Sequence, residues 1–224
     1  MTTSVIFHQT QSDLVEASVK PKIESMIEDL MASLPDPKQL TSEERRGMIA
    51  RYTAVLEGNF IYWMTATLIS VRAEEARPHL LENLHEEVRD SHPVMLRRFS
   101  IAARAFPTDT DALAVDEDLT KVRRFLGKLS AVQSLATMAF FEGFIQKFMG
   151  FLAELAAARG STEMEYTDVH GVCDIAHTQG LFEALAAEME VSPLEPGADL
   201  YEGVDLLQTL IHTIVFGPAR AVAA

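Results

Sequence analysis

Apolar residues recur at three- and four-residue spacing along nearly the whole chain, and the alternating Val, Ile and Thr runs that mark strands are missing. The pattern predicts a first helix from Ser12 to Leu34, bent at Pro21 and ended by Pro35-Asp36-Pro37, because a proline disfavours helix in the residue before it. Thr41-Ser42-Glu43-Glu44 reads as a capping box in front of a long helix reaching about Arg72. A third helix is expected from about Ala76 to Phe106, with Pro93 removing one backbone hydrogen bond and kinking it near His92. The polar stretch Pro107 to Asp118 reads as a connector. Leu119 to Arg159 is helical with a break near Gly127 to Ser130, and Gly160 is its natural C-cap. Further helices cover about Asp168 to Val191 and, after the Pro193 to Gly197 loop, Leu200 to Phe216. With no internal repeat and no long linker, the expectation is one all-α domain over residues 1–224, a bundle of about seven helices.

Composition narrows what such a bundle does. The 224 residues are 48% hydrophobic and 23% charged, ordinary values that exclude disorder and low complexity. A formal charge of -14 repels phosphate backbones, which makes nucleic acid a poor partner. The longest apolar stretches are interrupted well before the roughly 18 residues that a membrane helix needs. Cys173 is the single cysteine and cannot form an internal disulfide, and the start MTTSVIFHQTQSDLVEA lacks the pattern of a signal peptide, so a reducing, cytoplasmic setting is expected.

The strongest chemical pattern is His170-x3-Asp174-x2-His177, which on a helix places two imidazoles and a carboxylate within roughly 60° on one face. Imidazole and carboxylate together suit non-haem iron and related divalent metals, whereas no thiolate cluster argues for structural zinc. Glu142 lies among Met138, Ala139, Ile145 and Met149, where an ionised carboxylate needs a facing cation. Glu57 repeats the arrangement among Ala54, Ile61 and Met64. The segment Glu82 to His92 leaves two alternatives open. Either Glu82-x2-His85 supplies a ferritin-like acid-x-x-His pair, or His92 is the ligand, with His170 used as well. Trp63, Tyr62 and the cluster Phe140, Phe141, Phe144 and Phe148 read as core, Cys173 as a small core residue, and His8, His79 and His212 have no partners at ligand spacing.

Glu57, His92 behind ENLHEE, Glu142 and H-x3-D-x2-H together resemble the haem-oxygenase-like di-iron oxidases and oxygenases over about residues 50–190. The resemblance implies a seven-helix bundle and two iron ions held by Glu57, His92, Glu142, His170, Asp174 and His177. It also implies O2 as co-substrate, a peroxo-di-iron(III) species, an external electron donor, a small-molecule substrate and a homodimer. Glu82, ten residues before His92, is similar in spacing to the extra carboxylate ligand of the N-oxygenating branch found in streptozotocin and azomycin biosynthesis. That likeness implies oxidation of an amine, guanidine or aminoimidazole nitrogen to hydroxylamine, nitroso or nitro. The alternatives are a di-iron oxidase that cleaves carbon–carbon bonds of an amino or fatty acid, a metal-free thiaminase-like or quinone-forming relative, and an iron-storage protein.

Overall fold

The computed structural model describes residues 10–218, and its described residues are all-helical. The chain runs α1 (Gln11–Leu14), a π-helical turn (Val15–Val19), α2 (Lys20–Ala32), α3 (Ser42–Leu56), α4 (Asn59–Ser70), α5 (Arg77–Arg89), α6 (His92–Ala102), α7 (Asp109–Leu126), α8 (Ala131–Ala158), α9 (Glu165–Val191) and α10 (Glu202–Phe216). The expectation about a signal peptide rests largely on residues 1–9, which lie outside the described part, as does His8.

α8 is the axis of the bundle. Its residues Ala131 to Ile145 are buried on every side, as the nearly uninterrupted apolar run requires. It packs most extensively along α9, with α2, α3, α4 and α10 around it. The rings of Phe140, Phe144 and Phe148 stack along α8, and Trp63 of α4 meets Phe141 edge-on. These are core residues, as the sequence predicts; Tyr62, in contrast, is 46% exposed.

The helix boundaries depart from the sequence reading at four places, each for a local reason. Ahead of Pro21 the chain does not simply bend but widens into the π-helical turn Val15–Val19, which accommodates the hydrogen bond that proline cannot donate. The long helix expected up to Arg72 is two helices, because Glu57 turns extended (ψ 99°) and Gly58 adopts φ 85°, a left-handed conformation that glycine takes without strain. At Pro93 the helix ends rather than kinks. Ser91 sits at φ 60°, and His92 opens α6 with Pro93 beside it, where the missing N–H costs nothing. The expected connector is mostly helix, since Thr108 and Asp111 form a capping box that starts α7 at Asp109. The break between α7 and α8 and the left-handed Gly160 after α8 fall where the sequence places them.

Asp111 does more than cap. Both its oxygens accept from Arg46 of α3, at 2.8 and 2.9 Å, which ties α7 to α3. Burial pushes this carboxyl up, but the Arg46 guanidinium and Thr108 outweigh it and bring its pKa from 3.8 down to about 2. A depressed carboxyl contributes stability above its ordinary value that is lost as pH falls through the folded value. Asp111→Ala is therefore expected to lower stability by about 2 kcal/mol at neutral pH, read from denaturant midpoints, and the gap to the parent should close as pH approaches 2.

Candidate metal centre

Three places in the fold aim polar side chains into the same interior. The central helix contributes Glu142, 3% exposed in an otherwise apolar surround. α9 contributes His170, Asp174 and His177 from the one face that the i, i+4, i+7 spacing gives them. The junction of α5 and α6 contributes Glu87 and His92. The left-handed Ser91 breaks the helix between them and starts a new register that sets His92 against Glu87, with Nδ1 2.7 Å from Oε1.

These donors form two adjacent sets. Potential ligand atoms of Glu87, His92 and His170 lie within 4.8 Å of one another, and so do those of Glu142, Asp174 and His177. The His92 and His170 rings meet edge-on with centroids 4.5 Å apart. Glu86 adjoins the second set, its carboxylate 3.0 Å from His177 Nε2. One cavity runs past both sets, walled on its apolar side by Leu56, Phe60, Leu96, Phe141 and Ile145.

Neighbouring groups orient the donors. His170 Nδ1 lies 2.8 Å from the Tyr166 carbonyl; a carbonyl only accepts, so Nδ1 carries the proton and the Nε2 lone pair turns to the interior. The Asn83 side-chain amide donates to Glu142. The Tyr166 ring lies over His170, and its hydroxyl is hydrogen-bonded to the buried Tyr52 hydroxyl at 2.8 Å.

The electrostatics call for a cation. Burial and the nearby Asp174 charge push the Glu142 carboxyl well above the ordinary carboxylate range. Burial also pushes Glu87 up, but the hydrogen bonds from His170 and His92 outweigh it and hold Glu87 below its usual value. For His170 and His177 burial disfavours the imidazolium, and the carboxylates beside them reverse that and raise both. Among the described residues, none of the ion pairs formed by Glu86, Glu87 or Asp174 involves a Lys or Arg. His170 Nε2 faces Glu87 across 3.6 Å, two acceptors opposed unless a proton or a cation lies between them. His177 has a carboxylate at each ring nitrogen, Asp174 at 3.5 Å and Glu86 at 3.0 Å, although a neutral imidazole carries only one N–H. Asp174 Oδ2 is buried without any hydrogen-bond partner. Carboxylate and imidazole donors with unfilled acceptor capacity are what a hard divalent cation requires.

The profile of the iron-containing redox enzymes matches residues 49–209. The chain belongs to this family. A comparison with curated proteins returns no match. Iron fits the donor set of this iron-containing redox enzyme, because the orphaned Asp174 oxygen and the clustered carboxylate and imidazole acceptors leave coordination capacity that a metal would fill.

Of the residues expected at the centre, His92, Glu142, His170, Asp174 and His177 are brought together, and two are not. Glu57 caps α3 and pairs with Arg97 of α6. Of its apolar neighbours at helical spacing, Ile61 and Met64 belong to another helix, since Gly58 breaks the periodicity that aimed it inward. Glu82 is exposed and lines a separate, outer cavity with Glu86 and Cys173, and His85 is exposed as well, so the acid-x-x-His pair does not reach the interior. His212 stacks on Phe216. The sequence reading missed Glu86 and Glu87 inside the charged run. The available signal was Asp90-Ser91 ahead of His92-Pro93, which marks a new helix start and therefore a new register for His92 relative to the two glutamates.

Proposed function

We propose that this enzyme is an O2-using di-iron N-oxygenase acting on the amino, guanidino or aminoimidazole nitrogen of a small molecule. The observation that carries the reading is two adjacent donor sets on one apolar-walled cavity that no Lys or Arg lines. Glu87, His92 and His170 would hold one iron and Glu142, Asp174 and His177 the other, with Glu86 against His177. Glu86, Glu87, Glu142 and Asp174 together balance the charge of two ferrous ions, and three imidazoles add nitrogen donors without further charge. When bound, iron supplies electrons and Lewis acidity for activating O2.

The chain's own residues do the rest. Tyr166 fixes the tautomer of His170, and Asn83 steers one Glu142 oxygen. Phe60, Phe141, Leu96 and Ile145 exclude water from the side of the cavity where substrate fits. Among the described residues no Lys or Arg lines that wall to pair with a substrate carboxylate, which leaves it better suited to an amine or guanidine. This lining favours nitrogen oxidation over carbon–carbon cleavage of an amino or fatty acid. It replaces the argument from the spacing of Glu82, which lies outside the interior. An external electron donor completes the reaction.

The test is incubation of the iron-loaded protein under labelled O2 with amines, guanidines and aminoimidazoles, followed by mass spectrometry. Label on nitrogen is the expected result. Cleaved amino or fatty acids with no nitrogen-bound label would replace this reading by the carbon–carbon-cleaving one.

A further inference from the structure

Outside the interior, α5 and α9 enclose a second, solvent-facing cavity. α5 presents His79, Glu82 and Glu86 at i, i+3 and i+7, and α9 presents Cys173, His177 and Gly180 at i, i+4 and i+7, so each helix turns one face to it. Ligand atoms of Glu86, Cys173 and His177 lie within 4.8 Å of one another. Gly180 makes the approach of His79 feasible, because a Cβ there would sit 2.9 Å from His79 Nδ1. His79 is backed in turn by Glu183 at 3.6 Å. Cys173 is half-buried at this cavity instead of packed in the core, and its thiol donates to Asp174 Oδ1 at 3.2 Å.

We infer that Glu86, Cys173 and His177, with Glu82 and His79 at the rim, form an outer docking site at which a divalent cation binds before it moves to the interior donors. His177 joins the two places. Its Nε2 faces Glu86 on the outer side and its Nδ1 faces Asp174 on the inner side. The next donor inward is the buried, unpartnered Oδ2 of Asp174, so every step of the route ends on an acceptor. Docking exchanges the Cys173 S–H bond for a sulfur–metal bond and releases the proton to solvent, with no change of oxidation state. Three donors at a partly open cavity bind more weakly than the enclosed interior sets, which suits transfer and not retention. Glu82 at the rim and Glu86 behind it draw cations in, and the thiolate extends the site to softer ions such as Co(II) and Zn(II).

The inference rests on the interior being a metal centre, and the experiment separates the two. Metal-free full-length protein is mixed with Co(II) alone, and the near-ultraviolet thiolate-to-cobalt absorption is followed. In the parent the band should rise and then decay as the ion moves inward; in Asp174→Asn, where the inner acceptor is weakened, it should persist. Cys173→Ser keeps a hydrogen-bond donor for Asp174, and it should show no band and load Fe(II) at least about tenfold more slowly, with the same final metal content. Glu82→Gln should slow loading while leaving the band in place. An Asp174→Asn protein without the band, or Cys173→Ser loading at the parental rate, overturns the docking site. A parent that retains no metal after desalting overturns the iron reading of the interior instead.

Discussion

Under the proposed di-iron reading, Asp174→Asn is expected to leave about one iron per chain in place of two and to lower turnover by more than about a hundredfold, with helical content unchanged. Asp174 is 1% exposed, and its Oδ2 has no partner other than what the centre binds. Asn has the same shape, so packing around α9 is retained while the charge and one acceptor oxygen are lost. The other donor set, Glu87, His92 and His170, contains no atom of Asp174, which is why one iron should stay. Metal analysis after desalting, circular dichroism and turnover with the nitrogen substrate give the three readouts. Full retention of two irons would remove Asp174 from the centre.

The second large effect is on stability, and its sign depends on whether metal is present. Glu142 is buried beside Asp174, and the desolvation together with that neighbouring charge raises its pKa well above the ordinary 4.5. A raised pKa means that the folded state holds a proton that the unfolded chain releases. The stability it contributes is complete below the ordinary value and is lost as pH rises through the folded value. The metal-free protein should therefore lose stability between acidic and neutral pH on account of Glu142. Glu142→Gln keeps the acceptor that Asn83 uses and abolishes the ionisation. The variant should be more stable than the metal-free parent at neutral pH by about 2 kcal/mol, and the difference should vanish in acid. Fe(II) should reverse the order, since at a hundredfold excess over its dissociation constant an ion in the set that contains Glu142 adds about 2.7 kcal/mol to the parent and not to the variant, while an ion held by Glu87, His92 and His170 stabilises both alike. Melting curves with and without Fe(II) at two pH values decide it; a metal-free Glu142→Gln protein less stable than the parent at neutral pH would contradict the electrostatic account.

The all-helical fold and the convergence of four of the seven clustered donors, Glu142, His170, Asp174 and His177, were readable because local chemistry carries them. H-x3-D-x2-H needs only the helical repeat to converge, and α9 is an uninterrupted helix over those positions. Glu142 was legible for the same reason, in a helix whose apolar character is continuous on all sides. Reasoning failed where periodicity was extended across a break. Glu57 shares its spacing with Ile61 and Met64 only on the assumption of one helix, and a left-handed Gly58 removes that assumption. Glu87 was hidden for the complementary reason. On a continuous helix it lies well around the axis from His92, and only the break at Ser91 brings the two to 2.7 Å. The bidentate clamp between Arg46 and Asp111 has no sequence signature at a separation of 65 residues.

Between His170 and Gly180, α9 turns the usual helix inside out. Only His170, Asp174 and Gly180 are buried there, while Val172 and Ile175 are 72% and 60% exposed. Elsewhere in the bundle a hydrocarbon layer holds each helix down, and the heat capacity of apolar hydration governs how that grip changes with temperature. In this stretch the buried positions are mostly donor side chains, and a bound ion would add to the grip of the packing on α8. The local grip then follows free-metal concentration and proton activity, because ligands must shed protons before they bind. Two parts of one helix thus obey different thermodynamics. The segment after Gly180 melts with the core, whereas the donor-bearing segment is anchored more firmly the more iron the surrounding solution supplies.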